Sequence, residues 1–430
     1  MTPIHSEKRN LRRPDVENGG TDHEFLFILA FGQVSLLEID SVIESMKLEA
    51  SIEEADSSCV VIKTDFKRAS SLFSRLGGSY KYARVIGHSI SDSLDEISLP
   101  FRPKFNWTVS AYNCEPDLYD ETHQSLHELL KVRGLGKAKF LEPKIRSSIE
   151  QQGNCLGAAE LKATDVREKV LLEDRNDPGI DLVVHGGINQ SQPIFAQTID
   201  TFDSVEFKGR DVDRPFQNPT KTLAPRTARA IVNIALSVES HSLLDPFCGL
   251  GTILQEALLC NVSIIGVDKN QDDVEKARAN LDWLISKYKV SQHLHENIFA
   301  YDARRISHAR LPRIDAIASE PILLPIFKQN PNVLESIALI EKVRSTYEEC
   351  LDEFSSILSK PGSRIALVSP LLIDSSGKRR SFDLKDAAEH AGLKPYKGSK
   401  KLANRVSDHL SFEGQKKRTI QRNLVVYYLS

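Results

Sequence analysis

Asp245-Pro-Phe-Cys-Gly-Leu-Gly-Thr252 sets a carboxylate, two glycines and a hydroxyl between the apolar pair Leu243-Leu244 and a helix-forming run, Ile253 to Leu259. A strand that hands over to a helix in this way lies at the carboxyl edge of an open sheet, where doubly wound folds bind ligands. Gly249 and Gly251 have no Cβ, so the backbone there can bend sharply and approach a ligand. Thr252 is expected to cap the helix that follows. Asp245 offers a carboxylate to a cationic amino group. Asp268 closes the next strand, Ile264-Ile-Gly-Val-Asp268, where an acid can accept both hydroxyls of a ribose. Asp302, in Ala300-Tyr-Asp-Ala303, follows the next strand and can take an adenine amino group. The loop is not the G-x-G-x-x-G of dinucleotide enzymes, because Leu254 stands where the third glycine would be. Each feature alone is common in folded proteins. Their order and spacing point to a site for S-adenosylmethionine (SAM).

The octapeptide resembles the D-P-F-C-G-S/T-G-T signature of amino-directed nucleic-acid methyltransferases. It is most similar to the THUMP-associated RNA methylases, whose best-known members methylate the guanosine N2 amino group in tRNA. Arg214-Pro215 followed by Leu223-Ala-Pro-Arg-Thr-Ala-Arg229 is similar to that group's approach to its first helix. Leu410-Ser-Phe-Glu-Gly-Gln415 and Arg422-Asn-Leu-Val-Val426 resemble its closing hairpin, and Phe25 to Val42 with Leu76-Gly-Gly78 its N-terminal ferredoxin-like domain. The likeness is strong over about 210–430 and looser over 22–205. It implies a Rossmann-like class I methyltransferase sheet in the C-terminal half and SAM as cofactor. The implied cofactor contacts are Asp245, Pro246, Phe247, Gly249, Gly251, Thr252, Asp268 and Asp302.

In this family the catalytic loop after the fourth strand reads D/N/S/T-P/E-P-Y/F/W. Its first residue and a carbonyl of the loop accept hydrogen bonds from the exocyclic amine, so rate comes from orientation. Here Ser319-Glu320-Pro321-Ile322 follows Asp315-Ala-Ile-Ala318. Ser319, Glu320, Pro321 and Ile322 are the implied catalytic positions. Ile322 replaces the aromatic that would stack on a flipped base, a contact worth about 1–3 kcal/mol. Phe327 can substitute for it or belong to the core. Glu320 has two readings, an acceptor beside the amine or a carboxylate pointing elsewhere.

The resemblance implies transfer of a methyl group from SAM to a guanine exocyclic nitrogen in RNA, with tRNA as the partner. Two other functions stay open on the residues alone. One is adenine or cytosine amino-methylation of DNA, against which the Ser-Glu-Pro loop counts. The other is an RNA-binding protein with a degenerate methyltransferase fold, which Ile322 favours.

These residues must be carried by at least two domains, since 430 residues exceed one ordinary core. Residues 1–21 read as a disordered lead-in. Residues 22–100 read as a ferredoxin-like α+β domain: strands at Phe25–Phe31, Cys59–Thr64 and Tyr82–Ile86 alternate with helices at Leu36–Met46 and Ser70–Leu76, the latter stopped by Gly77-Gly78. Residues 101–205 read as a THUMP-like RNA-binding region, with strands at 107–112, 181–185 and 193–198 and a helix at 121–133. A Pro-broken connector is expected over 203–225. From Thr227, helices alternate with short apolar strands, the pattern of a doubly wound parallel sheet, so 206–430 reads as the methyltransferase domain.

Charge and cysteine usage narrow the setting. From Ser376 to Arg422 there are 13 Lys/Arg against 5 Asp/Glu, in a chain of net charge −3, so a basic C-terminal segment sits on an acidic body. Lys137, Lys139, Lys144, Lys378, Arg379, Arg380, Lys400, Lys401, Lys416, Lys417 and Arg418 are either an RNA groove or a solubilising surface. The six cysteines show no C-x-x-C or Cys/His spacing, so no structural zinc or disulfide framework is expected. The polar N-terminus is not a signal peptide, and no apolar run is long enough to span a bilayer. A cytoplasmic protein is expected.

Overall fold

The computed structural model describes residues 22–141, 179–189, 191–218, 222–238, 240–290, 296–321, 324–325, 327–412 and 419–430. The lead-in over 1–21 lies outside them, as do Lys144, Ile322 and Lys416 to Arg418. The chain divides into two compact units, one of residues 1–30, 49–74 and 79–205, the other of 31–48, 75–78 and 206–430.

The first unit is built on one eight-stranded sheet. Its strands are β1 (His23–Leu29), β2 (Ser51–Ala55), β3 (Cys59–Thr64), β4 (Ser79–Gly87), β5 (Asn106–Tyr112), β6 (Lys139–Phe140), β7 (Ile180–His185) and β8 (Ile194–Thr201). They lie in the order β2-β3-β1-β4-β8-β7-β5-β6. The first four are antiparallel and follow the ferredoxin-like β-α-β-β-α-β order in the chain. The short, half-exposed β2 was not anticipated, because Ser51-Ile-Glu-Glu-Ala55 has little apolar signal. The regions expected over 22–100 and 101–205 share this sheet, since β4 pairs with β8 from Lys81↔Thr201 to Gly87↔Phe195. A buried ion pair crosses that junction. Lys81 Nζ donates to Asp181 Oδ2 at 2.6 Å, and Ser110 and Thr198 hydroxyls, each at 2.7 Å, fill the rest of the carboxylate. With its lone pairs occupied, the buried charge is tolerated.

The second unit has the strands β9 (Ser242–Asp245), β10 (Ser263–Asp268), β11 (Glu296–Ala300), β12 (Ala316–Ser319), β13 (Arg364–Ile373), β14 (Arg379–Arg380), β15 (Leu393–Pro395), β16 (Leu410–Ser411) and β17 (Ile420–Leu429). The main path is β11-β10-β9-β12-β13-β17-β15. From β11 to β13 the pairs are parallel, as the buried apolar strands predict, and β17 runs antiparallel between β13 and β15. Leu244, Ile265, Ile317, Ile365 and Val425 bury one face of this sheet against Tyr347, Cys350 and Phe354 of the helix Val333–Ile357. Of the expected closing hairpin, Leu410 and Ser411 pair antiparallel with β17, Leu410 opposite Leu424, while residues 413–418 lie outside the described residues. The connector expected over 203–225 holds a helix, Ser204–Val212. Its prolines begin only at Pro215, so nothing breaks the helix, and Glu206 and Arg210 support it as an i,i+4 pair at 2.8 Å.

The helix Gln33–Ser45 belongs to this second unit, although about 160 residues separate it from the long segment that begins at Glu206. It packs on the helix Pro225–Ala235. Its Glu38 is fully buried and accepts the Gly77 and Gly78 amides at 2.7 Å each and Asn233 Nδ2 at 2.8 Å. Glycine is required at 77, where a Cβ would stand 2.2 Å from the Arg226 carbonyl oxygen. Glu44 pairs with Arg364, the first residue of β13, whose guanidinium lies 3.8 Å from the Tyr396 ring centre and donates to the Leu236 carbonyl at 3.1 Å. A fragment spanning only 206–430 would leave Asn233 without Glu38 and Arg364 without Glu44. We expect it to be insoluble or to melt well below the intact chain in a thermal scan. A fragment as stable as the full chain would show that the N-terminal helix adds nothing.

Candidate active site

The order of the sheet decides where a ligand can sit. β9 and β12 are neighbours whose crossovers depart in opposite directions, so a crevice opens beyond their carboxyl ends. Asp245 ends β9, Asp268 ends the adjacent β10 and Ser319 ends β12. Three residues far apart in the chain are thus brought to one edge of the sheet.

The glycine bend has the shape the sequence implies. Gly249 and Gly251 take φ of +48° and +83°, in the left-handed region that favours glycine. A Cβ on Gly249 would meet nothing within 4 Å, so this side of the bend faces open space. Asp268 holds the bend, its Oδ2 accepting the Gly249 amide at 3.0 Å and its Oδ1 the Asn270 amide at 3.0 Å. Asn280, wholly buried, binds the carbonyls of Leu250 and Phe216 and accepts the Phe216 amide, tying the segment after Arg214-Pro215 to the bend. Sequence reading missed Asn280, which carries no motif. Its one signal is a polar residue on the apolar face of the helix Gln271–Tyr288.

Thr252 does not cap its helix. Gly251 occupies the N-cap position in the left-handed conformation, and the Thr252 hydroxyl instead accepts from Arg214 at 2.7 Å. One residue inside the helix, its side chain turns toward the buried guanidinium.

Asp245 is 2% exposed. Its Oδ1 accepts the Ser319 hydroxyl at 2.6 Å and the Phe247 amide at 3.2 Å. No cation pairs with it among the described residues. Burial pushes its pKa up to about 7, with Asp268 and Glu320 adding repulsion against the hydrogen bonds from Ser319 and Phe247. A buried carboxylate beside two other acids suits a cationic ligand, and SAM carries both a sulfonium and an ammonium. Pro246 is buried, and Phe247 is half-buried against the core.

Glu320 is an ion-paired carboxylate. Arg422 of β17 grips it, Nε to Oε1 at 2.6 Å and the terminal nitrogen to Oε2 at 3.5 Å. Pro321 is buried beside it, and Phe327 packs against the core. Asp302 caps its own turn by accepting the Arg304 amide at 3.0 Å, and the Arg304 guanidinium reaches its other oxygen at 2.7 Å. Those bonds to Arg304, the largest influence, lower its pKa. Arg380 is committed to Asp374 at 2.8 Å, while Lys137, Lys139, Lys378, Arg379, Lys400 and Lys401 are exposed.

Numbered from β9 and without the side pairs β14 and β16, the sheet order is 3-2-1-4-5-7-6. With a glycine bend after the first strand and an acid ending the second, it defines a class I SAM-dependent methyltransferase. Residues 212–321 match the model of the UPF0020 family, described as an RMKL-like methyltransferase domain. The chain is 26% identical over 339 residues to the tRNA (guanine(10)-N2)-dimethyltransferase of Methanothermobacter thermautotrophicus, covering 78% of this chain and 85% of that protein. The enzyme of the same name from Pyrococcus abyssi is 31% identical over 196 residues, 44% of this chain and 50% of that one. The crystal structure of TrmN from Thermus thermophilus aligns with a TM-score of 0.49 and 15% identity, over 95% of this chain and 100% of that one. No helix among the described residues is long and apolar enough to cross a membrane.

Proposed function

We propose that this enzyme transfers a methyl group from SAM to the exocyclic N2 of a guanine in tRNA. The observation that carries the reading is the 2.6 Å hydrogen bond between Ser319 and Asp245. It couples the loop that would orient the amine to the acid that would hold the methyl donor. Asp245 would take the donor's ammonium group and Asp268 its ribose hydroxyls, over the bend at Gly249 and Gly251. Pro246, Phe247, Thr252 and Asp302 would complete the walls. The Ser319 hydroxyl donates to Asp245, so its oxygen lone pairs stay available to accept the amine. With Pro321 behind it, Ser319 would hold the nitrogen in line with the methyl group. When bound, SAM supplies an electrophilic methyl.

The names of the archaeal relatives support guanine N2 and tRNA. The unit of residues 22–205 would then serve as a THUMP-like RNA-binding module, with the exposed lysines giving salt-sensitive phosphate contacts. A tRNA substrate fits a cytoplasmic enzyme. The test is incubation of the protein with labelled SAM and unmodified tRNA or DNA, followed by nucleoside mass spectrometry. N2-methylated guanosine from tRNA alone is the expected product. Label in DNA, or in neither nucleic acid, would overturn the reading.

A further inference from the structure

We propose that Glu320, clamped by Arg422, selects guanine over the other amino-bearing bases by accepting the N1–H beside the target amine. This rests on the reading of guanine N2 as acceptor. Glu320 directly follows Ser319, so its carboxylate belongs to the loop that meets the amine. Its side chain is 10% exposed, enough to be reached from one side. An ionised carboxylate presents about four acceptor positions and no donor. Arg422 fills one of these firmly, at 2.6 Å, and a second only at 3.5 Å. No other hydrogen bond to the Glu320 carboxylate occurs among the described residues. Burial, the largest influence, raises its pKa, and the Arg422 guanidinium at 2.6 Å opposes this by favouring the carboxylate, the form that can only accept.

The chemistry of the bases gives that leftover capacity a meaning. On its pairing edge guanine sets two donors side by side, N1–H and the N2 amine. Adenine sets a bare N1 beside its amine, and cytosine a bare N3. A carboxylate near the amine therefore completes guanine and faces a lone pair on either of the others. A flipped base is read along this edge. Arg422 acts here as a positioning residue. It reaches the loop from β17, opposite Pro370 of β13, and fixes the carboxylate in a single orientation.

The test uses the full chain and two substrate RNAs, one with guanine and one with 2-aminopurine at the modified position. 2-Aminopurine keeps the C2 amine but replaces N1–H with a lone pair. Wild-type protein should prefer guanine in kcat/KM by about 10- to 100-fold or more. Glu320→Gln, whose amide can accept the amine and donate to N1, should cut that preference at least tenfold. Because the two proteins are compared on the same pair of RNAs, differences in intrinsic amine reactivity cancel. SAM binding by calorimetry confirms that the variant is folded. A wild-type enzyme that methylates both bases equally overturns the inference, even should the variant not fold. So does an unchanged preference in Glu320→Gln. Failure of wild type to produce N2-methylguanosine at all would instead remove the proposed function beneath it.

Discussion

Asp245→Asn should weaken SAM binding by about 2–5 kcal/mol, the cost of losing the charged partner of a buried pair, and should make the ligand-free protein more stable. Both effects come from one cause. In the ligand-free fold the Asp245 pKa is about 7, against an ordinary value of 3.8, because burial, Asp268 and Glu320 penalise the ionised form. In the unfolded chain the group ionises near pH 4. Its contribution to stability is therefore full below about pH 4 and is lost as pH rises through 7. At pH 8 the charge costs roughly 4 kcal/mol, a shift of about three units at 1.36 kcal/mol each. Asparagine keeps the shape and can still accept from Ser319, but never ionises. A cationic donor reverses the preference. Below pH 7 its binding must expel the Asp245 proton, so SAM affinity should fall by up to about tenfold per pH unit from 7 toward 5. Calorimetry across that range, with thermal melts of both proteins at pH 8, checks the whole chain of reasoning. An Asn variant that binds SAM like wild type, or a flat affinity profile, would show that Asp245 does not meet the cation.

Glu256→Gln should destabilise the second unit by about 3–5 kcal/mol. Glu256 lies on the helix that leaves the glycine bend and is 1% exposed. Arg210 Nε reaches one of its oxygens at 2.7 Å and Arg229 the other at 2.7–2.8 Å. Both guanidinium groups are buried, so the single carboxylate balances two cations and joins the helices Ser204–Val212, Pro225–Ala235 and Thr252–Leu259. Glu206 gives Arg210 partial relief from a more exposed position. Glutamine conserves volume and leaves both arginines without their shared anion. Urea unfolding should show a lower midpoint at an unchanged slope. A loss under about 1 kcal/mol would mean that the arginines are neutralised some other way.

The legible part of the site was the part written in adjacent residues. Asp245, Gly249, Gly251 and Asp268 could be placed because a strand, a bend and a helix follow one another in the chain, and Ser319 because it closes a short apolar strand. Contacts between distant segments left no such trace. Nothing local marks Arg422 as the partner of Glu320, 102 positions away. The helix Gln33–Ser45 was read correctly as a helix, but periodicity reveals only that a face is apolar, not which sheet or helix will cover it. Thr252 shows how local rules can mislead. A threonine at a helix start predicts a cap, yet the glycine before it already supplies the terminating conformation, which frees the hydroxyl for Arg214.

The upstream origin of the helix carrying Glu38 also bears on synthesis. The ribosome delivers Gln33–Ser45 about 180 residues before the helix it rests on, Pro225–Ala235, begins to emerge. At roughly 5–20 residues per second, a nascent chain would wait some ten to forty seconds with Leu36, Ile39 and Val42 uncovered. Translation speed through the intervening stretch, and whatever shields apolar surface during it, would then govern the yield of active enzyme.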